Sequence, residues 1–300
     1  MRLGIYLADS PPVPEVLALV ASAAESGLDS VYFNQALSWD AATVAAVALR
    51  EVPGIEVGTA VVQTYPRHPV VLAAQARTIA ALAPGRFTLG IGPSHPPIIE
   101  GTFGLSYDRP AQHLREYLSV LMPLLRGEAV DADGPMIRAA ATITVSDAPA
   151  PPVLLSALGP KLLRVAGELA DGVVTVWSTT EFVADHIAPA VRAAADAAGR
   201  PAPRVATIVS AVVTDDPSPH RAQLAHQLAP VSALPSYRQV LDRQGLRGVH
   251  ETALIGPEDV VAEGIRAYAR AGVTDLLVSL RGDPAERART RELLAAVRRD

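Results

Sequence analysis

The sequence predicts a (β/α)8 barrel of the TIM type with insertions, and three features of the chain indicate it. Short apolar runs, about eight in all, alternate with stretches of helical spacing along the 300 residues. Most runs are continuously apolar, as expected for strands with helices on one face and a barrel interior on the other. A junction of helix end, glycine and new apolar run recurs around Gly27, Gly172 and Gly272. The alternative is an open, doubly wound sheet of the Rossmann type.

Each predicted strand is a short β-type run bounded by turn residues. The runs cover residues 3–8, 30–34, 55–63, 87–92, 153–157, 173–177, 205–213 and 275–279. The segments between them carry apolar residues at helical spacing, for example in residues 114–125 and 162–169. Gly27, Gly127 and Gly272 follow helical segments, where a left-handed residue ends a helix. The chain is therefore predicted to repeat βα units around one barrel.

One domain is expected over residues 1–300, with two insertions in the barrel. The first insertion, about residues 128–150, contains a segment at 136–145 that is typical of a small hairpin or an irregular arm. The second, about residues 215–252, is predicted to be a helical pair before the last βα unit. Neither region is recognisable as a domain linker, so both are expected to extend the barrel.

Composition and charge exclude several classes of function. The chain has 49% hydrophobic residues, 19% charged residues and a net charge of −5. It has no basic block, so neither nucleic acid nor an anionic membrane is an expected partner. Cysteine is absent, which excludes disulfides and thiolate metal sites. No apolar run approaches the ~18 residues of a membrane span, and the first run meets Asp9 and Ser10 too early for a signal peptide. A cytoplasmic location is therefore expected.

The candidate active site lies where the predicted strands end, because TIM-type barrels carry their chemistry at the C-terminal ends of the strands. The side chains there are mainly aromatic or neutral and polar, and acids are rare. This suits a planar, hydrogen-bonding small molecule better than a metal ion or a glycoside. The seven histidines show no metal-ligand spacing such as HExxH, so no metal is expected. The GxSxG motif of a serine nucleophile is also missing.

Two strand–loop junctions have a glycine where a ligand can approach. At one, Gly159 is expected to adopt a backbone shape that a side chain would hinder, and Pro160 to begin the next helix. The free amides of Lys161 and Leu162, with the charge of Lys161, form a candidate phosphate site. A plain strand–helix turn is the alternative. At the other, Gly92 ends a strand and permits close approach of a flat ligand or another backbone. His95 follows as an acid or hydrogen-bond donor, with a structural histidine as the alternative.

Five short motifs carry a resemblance to a known family. They are GTAVVQTYPRHP at residues 58–69, GRFTLGIG at 85–92, YDRP at 107–110, ALGP at 157–160 and GELADG at 167–172. In these motifs, their order and their spacing, over roughly residues 1–280, the chain resembles the bacterial-luciferase-like superfamily in its coenzyme F420-dependent branch. It is most similar to an actinobacterial group of oxidoreductases. A single lysine and a single asparagine agree with such a GC-rich genome.

The resemblance implies that the barrel binds coenzyme F420, with FMN as the alternative, and holds the ring at the strand ends. It also implies a cis peptide at Ala60–Val61, in a bulge that supports one face of the ring, and a phosphate site at residues 159–162. The implied cofactor contacts are Asn34, Trp39, Ala60, Val61, Gln63, Gly92, Ala157, Leu158, Gly159, Pro160, Lys161 and Leu162. A homodimer is an expectation from the family alone.

The implied activity is that of an oxidoreductase, and one departure from the family favours reduction. Sugar-phosphate dehydrogenases of this superfamily have Asp-His after the second strand, whereas this chain has Asn34 and Gln35, which do not titrate. The predicted reaction is hydride transfer from the reduced deazaflavin to a small apolar or unsaturated organic substrate. The proton would come from solvent, His95 or Tyr65. The expected substrate contacts are Phe103, Tyr107 and Trp177.

Two other functions are alternatives to this reductase. An FMN-dependent luciferase-like monooxygenase would need oxygen access and a stabilised peroxide. A non-catalytic barrel would keep only the binding of a cofactor. No indispensable acid or base is visible in the sequence, so residue types by themselves do not separate an enzyme from a binding protein.

Overall fold

The computed structural model describes residues 1–8, 11–145 and 149–299. Asp9 and Ser10, which limit the first apolar run, and positions 146–148 of the first predicted insertion lie outside the described residues. The strands of the described chain are β1 (Arg2–Leu7), β2 (Ser30–Phe33), β3 (Glu56–Thr59), β4 (Val62–Gln63), β5 (Phe87–Gly92), β6 (Val130–Asp133), β7 (Arg138–Ala141), β8 (Val153–Ser156), β9 (Gly172–Val176), β10 (Arg204–Val213), β11 (Leu254–Gly256) and β12 (Asp275–Leu280).

A parallel sheet closes into a barrel of eight strand positions. Its order is β1, β2, β3 with β4, β5, β8, β9, β10 and β12. The barrel closes because β10 pairs with both β9 and β12, and β12 pairs with β1. This confirms the predicted TIM-type barrel, since a doubly wound sheet has two open edges. Every predicted strand is found with ends shifted by one residue at most, except the third, which is interrupted between β3 and β4.

Helices follow the strands and cover the outside of the barrel. They are α1 (Val13–Glu25), α2 (Ala41–Glu51), α3 (Pro69–Leu82), α4 (Pro96–Ile99), α5 (Pro110–Leu125), α6 (Pro160–Leu169), α7 (Thr180–Phe182), α8 (Ala188–Ala197), α9 (Pro217–Gln227), α10 (Ala229–Ser232), α11 (Pro235–Arg243), α12 (Glu258–Arg270) and α13 (Pro284–Arg299). Several begin at a proline, whose fixed φ suits the first turn. Among these described helices, none combines the length and the apolar content that crossing a bilayer requires.

The two predicted insertions differ in detail from expectation. In the first, β6 and β7 form an antiparallel hairpin whose turn is closed by the Gly134 amide bonding to the Ile137 carbonyl. The hairpin therefore begins earlier than the predicted segment 136–145. In the second, α9, α10 and α11 replace the predicted helical pair, and the short β11 pairs with β10. A strand of three residues is too short to show a period, so the sequence did not predict it.

Side chains alternate between the two faces of each barrel strand and form two apolar layers. In β2, Val31 packs in the layer between the strands and the helices, whereas Tyr32 points into the barrel. The interior layer consists of Tyr32, Ala60, Leu154, Val174, Ala206, Ile208 and Leu277. The barrel is thus filled by side chains, so a ligand has to bind at one of its ends.

An ionic network closes the N-terminal end of the barrel. Arg204, at the start of β10, donates to Asp275 at 2.6 Å, to Glu56 at 3.2 Å and to Thr88 at 3.0 Å. Burial disfavours the charged guanidinium, but the bonds and charges of its partners outweigh this and raise the pKa of Arg204. With this end closed by charged side chains, the C-terminal end of the strands is the face for a ligand.

Candidate active site

The floor of the barrel mouth is built around an interruption in the third strand. β3 ends at Thr59, and the Ala60–Val61 peptide bond is cis. This confirms the cis bond that the family resemblance implied. The Ala60 amide donates to the Phe33 carbonyl at 2.7 Å, and both Ala60 and Val61 pack with the side chains of the barrel interior. The interruption therefore faces the C-terminal mouth.

Gly92, at the end of β5, leaves room for its neighbours. A Cβ atom at this position would lie 2.7 Å from Val61 Cγ2 and 2.9 Å from Ser156 Cβ. Contacts this short do not occur between real side chains, so the position requires glycine. The room that the sequence predicted at Gly92 exists, but Val61 and Ser156 fill it. These two side chains, rather than the glycine backbone, form the floor there.

Tyr65 is held in place by its neighbours. Its hydroxyl donates to the Asp108 carbonyl at 2.9 Å, and its ring stacks on His113 at 3.9 Å between centroids. Burial raises the pKa of Tyr65 to about 12. The hydroxyl proton is bonded to the main chain, so this geometry supports a structural role rather than the predicted donation of a proton.

His113, on α5, was not predicted to lie near the site. It is 4% exposed, and its Nε2 lies 3.0 Å from Thr64 Oγ1. Burial lowers the pKa of His113 to about 4, so its ring is neutral at pH 7. Thr64 is 49 residues away along the chain, and no local sequence pattern predicts a contact over that separation.

His95 follows β5 and contacts the second insertion. Its Nε2 lies 3.2 Å from the Tyr237 hydroxyl, and its Nδ1 lies 3.3 Å from Ser236 Oγ. Burial lowers the pKa of His95 below its usual value, so the neutral imidazole dominates near pH 7. α11 thus brings two hydroxyl groups to His95. Sequence reasoning missed both because they lie 141 and 142 residues further along the chain.

Two non-glycine residues at strand ends have a left-handed backbone. They are Ser94, with φ 62°, after β5, and Trp177, with φ 57°, after β9. Gln244, just after α11, holds the second turn by donating to the Trp177 carbonyl at 3.0 Å and accepting from the Thr179 amide at 2.7 Å. A left-handed backbone is uncommon for bulky residues and occurs mainly at functional sites. The ends of β5 and β9 are therefore candidate parts of the active site.

The indole of Trp177 offers a buried hydrogen-bond donor. Its ring meets the Tyr237 ring edge-on at 6.4 Å. Burial raises the pKa of Tyr237 to about 12, and the nearby indole partly opposes that shift. The two groups are nevertheless not in hydrogen-bond geometry, and within the described residues the indole N–H has no partner. A buried donor of this kind is satisfied when a ligand supplies an acceptor.

The loop after β2 contains two predicted cofactor contacts. Trp39 packs edge-on against Phe33 at 5.6 Å and donates its indole N–H to the Pro11 carbonyl at 3.0 Å. These contacts give Trp39 a packing role in addition to the predicted contact with a ring. Asn34 is half-buried, and its backbone amide donates to the Leu7 carbonyl at 2.9 Å.

The predicted phosphate site at the start of α6 needs two corrections. Pro160 begins the helix as predicted, but Gly159 has an extended backbone with φ −95°, and a Cβ there would meet no atom within 4 Å. The protein therefore does not hinder a side chain at Gly159, contrary to the prediction. The Leu162 amide is also not free, because it donates to the Gly159 carbonyl at 3.1 Å. Lys161, whose side chain is exposed, provides the first-turn amide without an intrahelical acceptor.

The remaining predicted contacts divide between the end of β5, the end of β8 and the surface. Gln63 Nε2 lies 3.5 Å from Ser94 Oγ, and the Tyr107 hydroxyl donates to the Ser94 carbonyl at 2.9 Å. After β8, Ala157 is buried and Leu158 is half-buried. In contrast, Phe103 is 37% exposed in the segment after α4. The structure thus brings Gln63 and Tyr107 to the same strand end as His95.

Arg281 is a charged group at the mouth that sequence reasoning missed. It follows β12, and its Nε donates to Ser210 Oγ at 3.2 Å. Strand alternation could have indicated it, because Leu277 points into the barrel and Arg281 lies four residues further on. In the parts of the chain that the structure describes, no group of three or more His, Asp or Glu side chains is arranged to hold a metal ion.

Comparison with known proteins assigns this barrel to a family. The family model described as luciferase-like monooxygenase matches residues 1–275. The chain belongs to this family. The resemblance found in the sequence motifs is thereby confirmed, and its relatives support the predicted oxidoreductase class.

Curated relatives of this luciferase-like protein are named as reductases, dehydrogenases and oxidoreductases. It is 27% identical over 301 residues to a 5,10-methylenetetrahydromethanopterin reductase from Methanolobus tindarius, covering 98% of this chain and 91% of the relative. It is 31% identical over 193 residues to a putative coenzyme F420-dependent oxidoreductase from Mycobacterium tuberculosis, covering 59% and 56%. It is 30% identical over 245 residues to an F420-dependent glucose-6-phosphate dehydrogenase from Beutenbergia cavernae, covering 74% and 70%. The match therefore spans most of the first relative and just over half of the second.

Solved structures share the fold of this family member at low sequence identity. The coenzyme F420-dependent tetrahydromethanopterin reductase from Methanopyrus kandleri superposes with a TM-score of 0.82 at 21% identity, covering 98% of this chain and 97% of that one. A type II Baeyer–Villiger monooxygenase from Pseudomonas putida, in complex with FMN, superposes with a TM-score of 0.77 at 19% identity, covering 98% and 96%. At these identities the likeness shows the fold alone.

Proposed function

We propose that this luciferase-like protein is an F420-dependent oxidoreductase that works as a reductase. Hydride would pass from the reduced deazaflavin to a small apolar or unsaturated organic substrate. Two of the three relatives described above are named as F420-dependent, which supports the cofactor. The observation that carries the direction is Asn34 at the end of β2. Its amide does not titrate, so this position provides no base to remove a proton from an alcohol.

The residues at the mouth fit a flat ring system with a phosphate-bearing tail. The floor beside Gly92 is formed by small side chains, so a ring can lie close to the strands. The buried Trp177 N–H is a donor for a carbonyl group of the ring or of the substrate. The space next to Gly159 is free of protein atoms, and a phosphate there meets the start of α6. When bound, the reduced deazaflavin supplies a hydride.

The protein itself positions the substrate, excludes water and delivers a proton. Because burial lowers the pKa of His95, this residue holds no extra proton near pH 7. In our proposal Nε2 of His95 passes its proton through the Tyr237 hydroxyl, 3.2 Å away, to a substrate oxygen. At the same time Nδ1 takes up a proton from solvent beside the exposed Ser236, whose Oγ lies 3.3 Å away, so the ring is neutral before and after the step. Tyr65 is not required in this scheme, since its hydroxyl is bonded to the Asp108 carbonyl.

Separate titrations of the apoprotein with F420 and with FMN test the cofactor. We expect submicromolar binding of F420 and much weaker binding of FMN. Tight binding of FMN alone would replace this proposal with the monooxygenase alternative. Tight binding of F420 without turnover of any unsaturated substrate would support the non-catalytic barrel.

We further propose that residues 1–300 form one domain, that the protein is a cytoplasmic homodimer and that it comes from an actinobacterium. The first proposal rests on the barrel, which uses strands from both ends of the chain, β1 and β12. The dimer and the source rest on the family resemblance. Light scattering on the purified protein measures the oligomeric state, and limited proteolysis tests the single domain.

A further inference from the structure

Arg281 lies at the C-terminal mouth of the barrel, on the side formed by β10, β12 and β1. Its amide donates to the Ala211 carbonyl at 2.9 Å, and its Nε donates to Ser210 Oγ at 3.2 Å. Ser210 is only 2% exposed, so one edge of the guanidinium is anchored at a buried hydroxyl.

The guanidinium of Arg281 is not ion-paired with an acid in the described parts of the chain. Among residues 1–8, 11–145 and 149–299, its side chain is bonded to a serine hydroxyl and forms no ion pair. Burial therefore lowers the pKa of Arg281. Arg204, at the opposite end of the same barrel, is also buried, but Asp275 and Glu56 lie within 3.2 Å of it. Of these two arginines, Arg281 is the one without an ion pair in the described parts of the chain.

A cavity of ≈630 Å³ adjoins Arg281 between α9 and the start of α13. Its two acids, Asp283 and Glu286, are already bonded. Each accepts the other's backbone amide at 2.9 Å, and Glu286 also pairs with His220 at 2.8 Å. These bonds cap α13, and among the described contacts neither carboxylate forms an ion pair with the guanidinium of Arg281. The cavity therefore combines two hydrogen-bonded carboxylates with a half-buried guanidinium that no described acid pairs.

We propose that Arg281 binds a carboxylate of the substrate, and that the substrate is an unsaturated or aromatic organic acid. That the bound carboxylate belongs to a substrate rests on the proposed function, whereas the anion site itself does not. A guanidinium matches the planar carboxylate group with two parallel hydrogen bonds. A partly buried charge is stabilised when it is paired and hydrogen-bonded, and a neutral ligand would not supply that pairing. The guanidinium thus adds a charged anchor beside the aromatic residues that line the ends of β5 and β9.

Benzoate and benzamide test this site in the apoprotein, because they share their shape and differ in charge. Isothermal titration should show that the wild type binds benzoate at least about tenfold more tightly than benzamide. Arg281→Met should abolish this preference, whereas Arg281→Lys should keep part of it. The matched control is Arg287→Met, since Arg287 lines the same cavity but is exposed on α13. That variant should keep the full preference.

Equal affinities of the wild type for both probes would overturn the proposal, as would a folded Arg281→Met variant that still prefers benzoate. Should Arg281→Met fail to fold, Ser210→Ala replaces it, because it releases the Nε anchor and keeps the charge. It should weaken benzoate more than benzamide, and an unchanged preference would contradict the site.

F420 added before benzoate separates two sources of the anion. Continued binding of benzoate supports a substrate carboxylate. Loss of benzoate binding assigns the anion to the phosphate-bearing tail of the coenzyme and overturns the substrate class. A wild-type protein that prefers benzoate but does not bind F420 would contradict the proposed function and leave the anion site in place.

Discussion

His113 shows at the scale of one residue how burial sets the charge of a side chain near the mouth. Its ring stacks on the Tyr65 ring, and its Nε2 contacts the Thr64 hydroxyl. Burial lowers its pKa to about 4. In the unfolded chain a histidine titrates at about 6.5, so the unfolded chain binds the proton at a higher pH than the folded protein.

We therefore expect the free energy of unfolding to fall as the pH drops from about 6.5 to about 4, by up to about 3 kcal/mol from this group. Below the folded pKa of about 4 this contribution stops changing. Urea unfolding of the wild type and of His113→Gln across this window measures the effect. The variant does not titrate and should lose less stability on acidification, whereas parallel pH profiles would contradict the assignment.

Trp39 combines a packing role with a predicted contact to the cofactor ring. Trp39→Ala removes the edge contact with Phe33 and the bond to the Pro11 carbonyl, so we expect a loss of about 2–3 kcal/mol in the free energy of unfolding. Trp39→Phe keeps an aromatic ring and should lose about 1 kcal/mol. F420 titration of the folded Trp39→Ala variant should also show weaker binding. Normal affinity would leave packing as its only role.

Gly159 provides a clean test of the phosphate site because the protein tolerates a side chain there. Valine before Pro160 readily adopts the extended backbone that the structure shows, and its Cβ meets no protein atom. Gly159→Val should therefore melt like the wild type but bind F420 about tenfold or more weakly. Affinity for a truncated deazaflavin without the phosphate should not change.

The control for this variant is Lys161→Ala, whose exposed side chain should contribute about 1 kcal/mol or less. An equal loss of affinity for both deazaflavins in Gly159→Val, or no loss for either, would place the phosphate elsewhere.

At the scale of elements, α11 connects the ends of β5 and β9. Its residues Ser236 and Tyr237 contact His95, while Gln244 at its end holds the Trp177 turn. The left-handed Trp177 is thus supported from a different part of the chain. This arrangement makes the second insertion part of the mouth rather than a peripheral addition.

We expect Gln244→Ala to lower the free energy of unfolding by about 1–3 kcal/mol, because it leaves a carbonyl and an amide of the Trp177 turn without their partners. Fluorescence in a Trp39→Phe background should report a changed environment of Trp177. Gln239→Ala, exposed on the same helix, serves as control and should stay within about 0.5 kcal/mol of the wild type. Identical spectra and stabilities of the two variants would contradict this role.

At the scale of the whole molecule, the two ends of the barrel differ in how charge is handled. The N-terminal end contains matched ion pairs around Arg204, whereas Arg281 at the C-terminal end forms no ion pair with a described residue. We therefore expect the N-terminal end of the barrel to contribute mainly to stability and the C-terminal end to bind ligands, as is general for TIM-type barrels.

Arg204→Met should lower the free energy of unfolding by about 2–3 kcal/mol, because Asp275, 1% exposed, and Glu56 lose one of the two cations that they share, while Arg2 still pairs with both. The folded fraction should bind F420 normally, since the network lies at the far end of the barrel. Arg138→Met is the control, because its pair with Asp133 is 79% and 84% exposed and should be worth less than about 1 kcal/mol. Chemical denaturation compares the two, and equal losses would contradict the importance of the network.

The sequence by itself determined the barrel and the position of its mouth. Continuous apolar runs such as residues 87–92, and glycines such as Gly27 and Gly272, are local patterns that reflect strand burial and helix ends. Such patterns need no knowledge of distant residues. The sequence motifs likewise indicated the family and, through it, the cis bond at Ala60.

Only the tertiary structure decided which side chains meet at the mouth. His95 and Tyr237 are 142 residues apart, Trp177 and Gln244 are 67 apart, and Ser210 and Arg281 are 71 apart. These contacts depend on the closure of the barrel and on the path of the second insertion, which local periodicity does not encode. The open space beside Gly159 and the internal bond of the Leu162 amide were hidden for a related reason. Backbone direction at a strand–helix junction follows from the packing of both elements, not from the residue types at the turn.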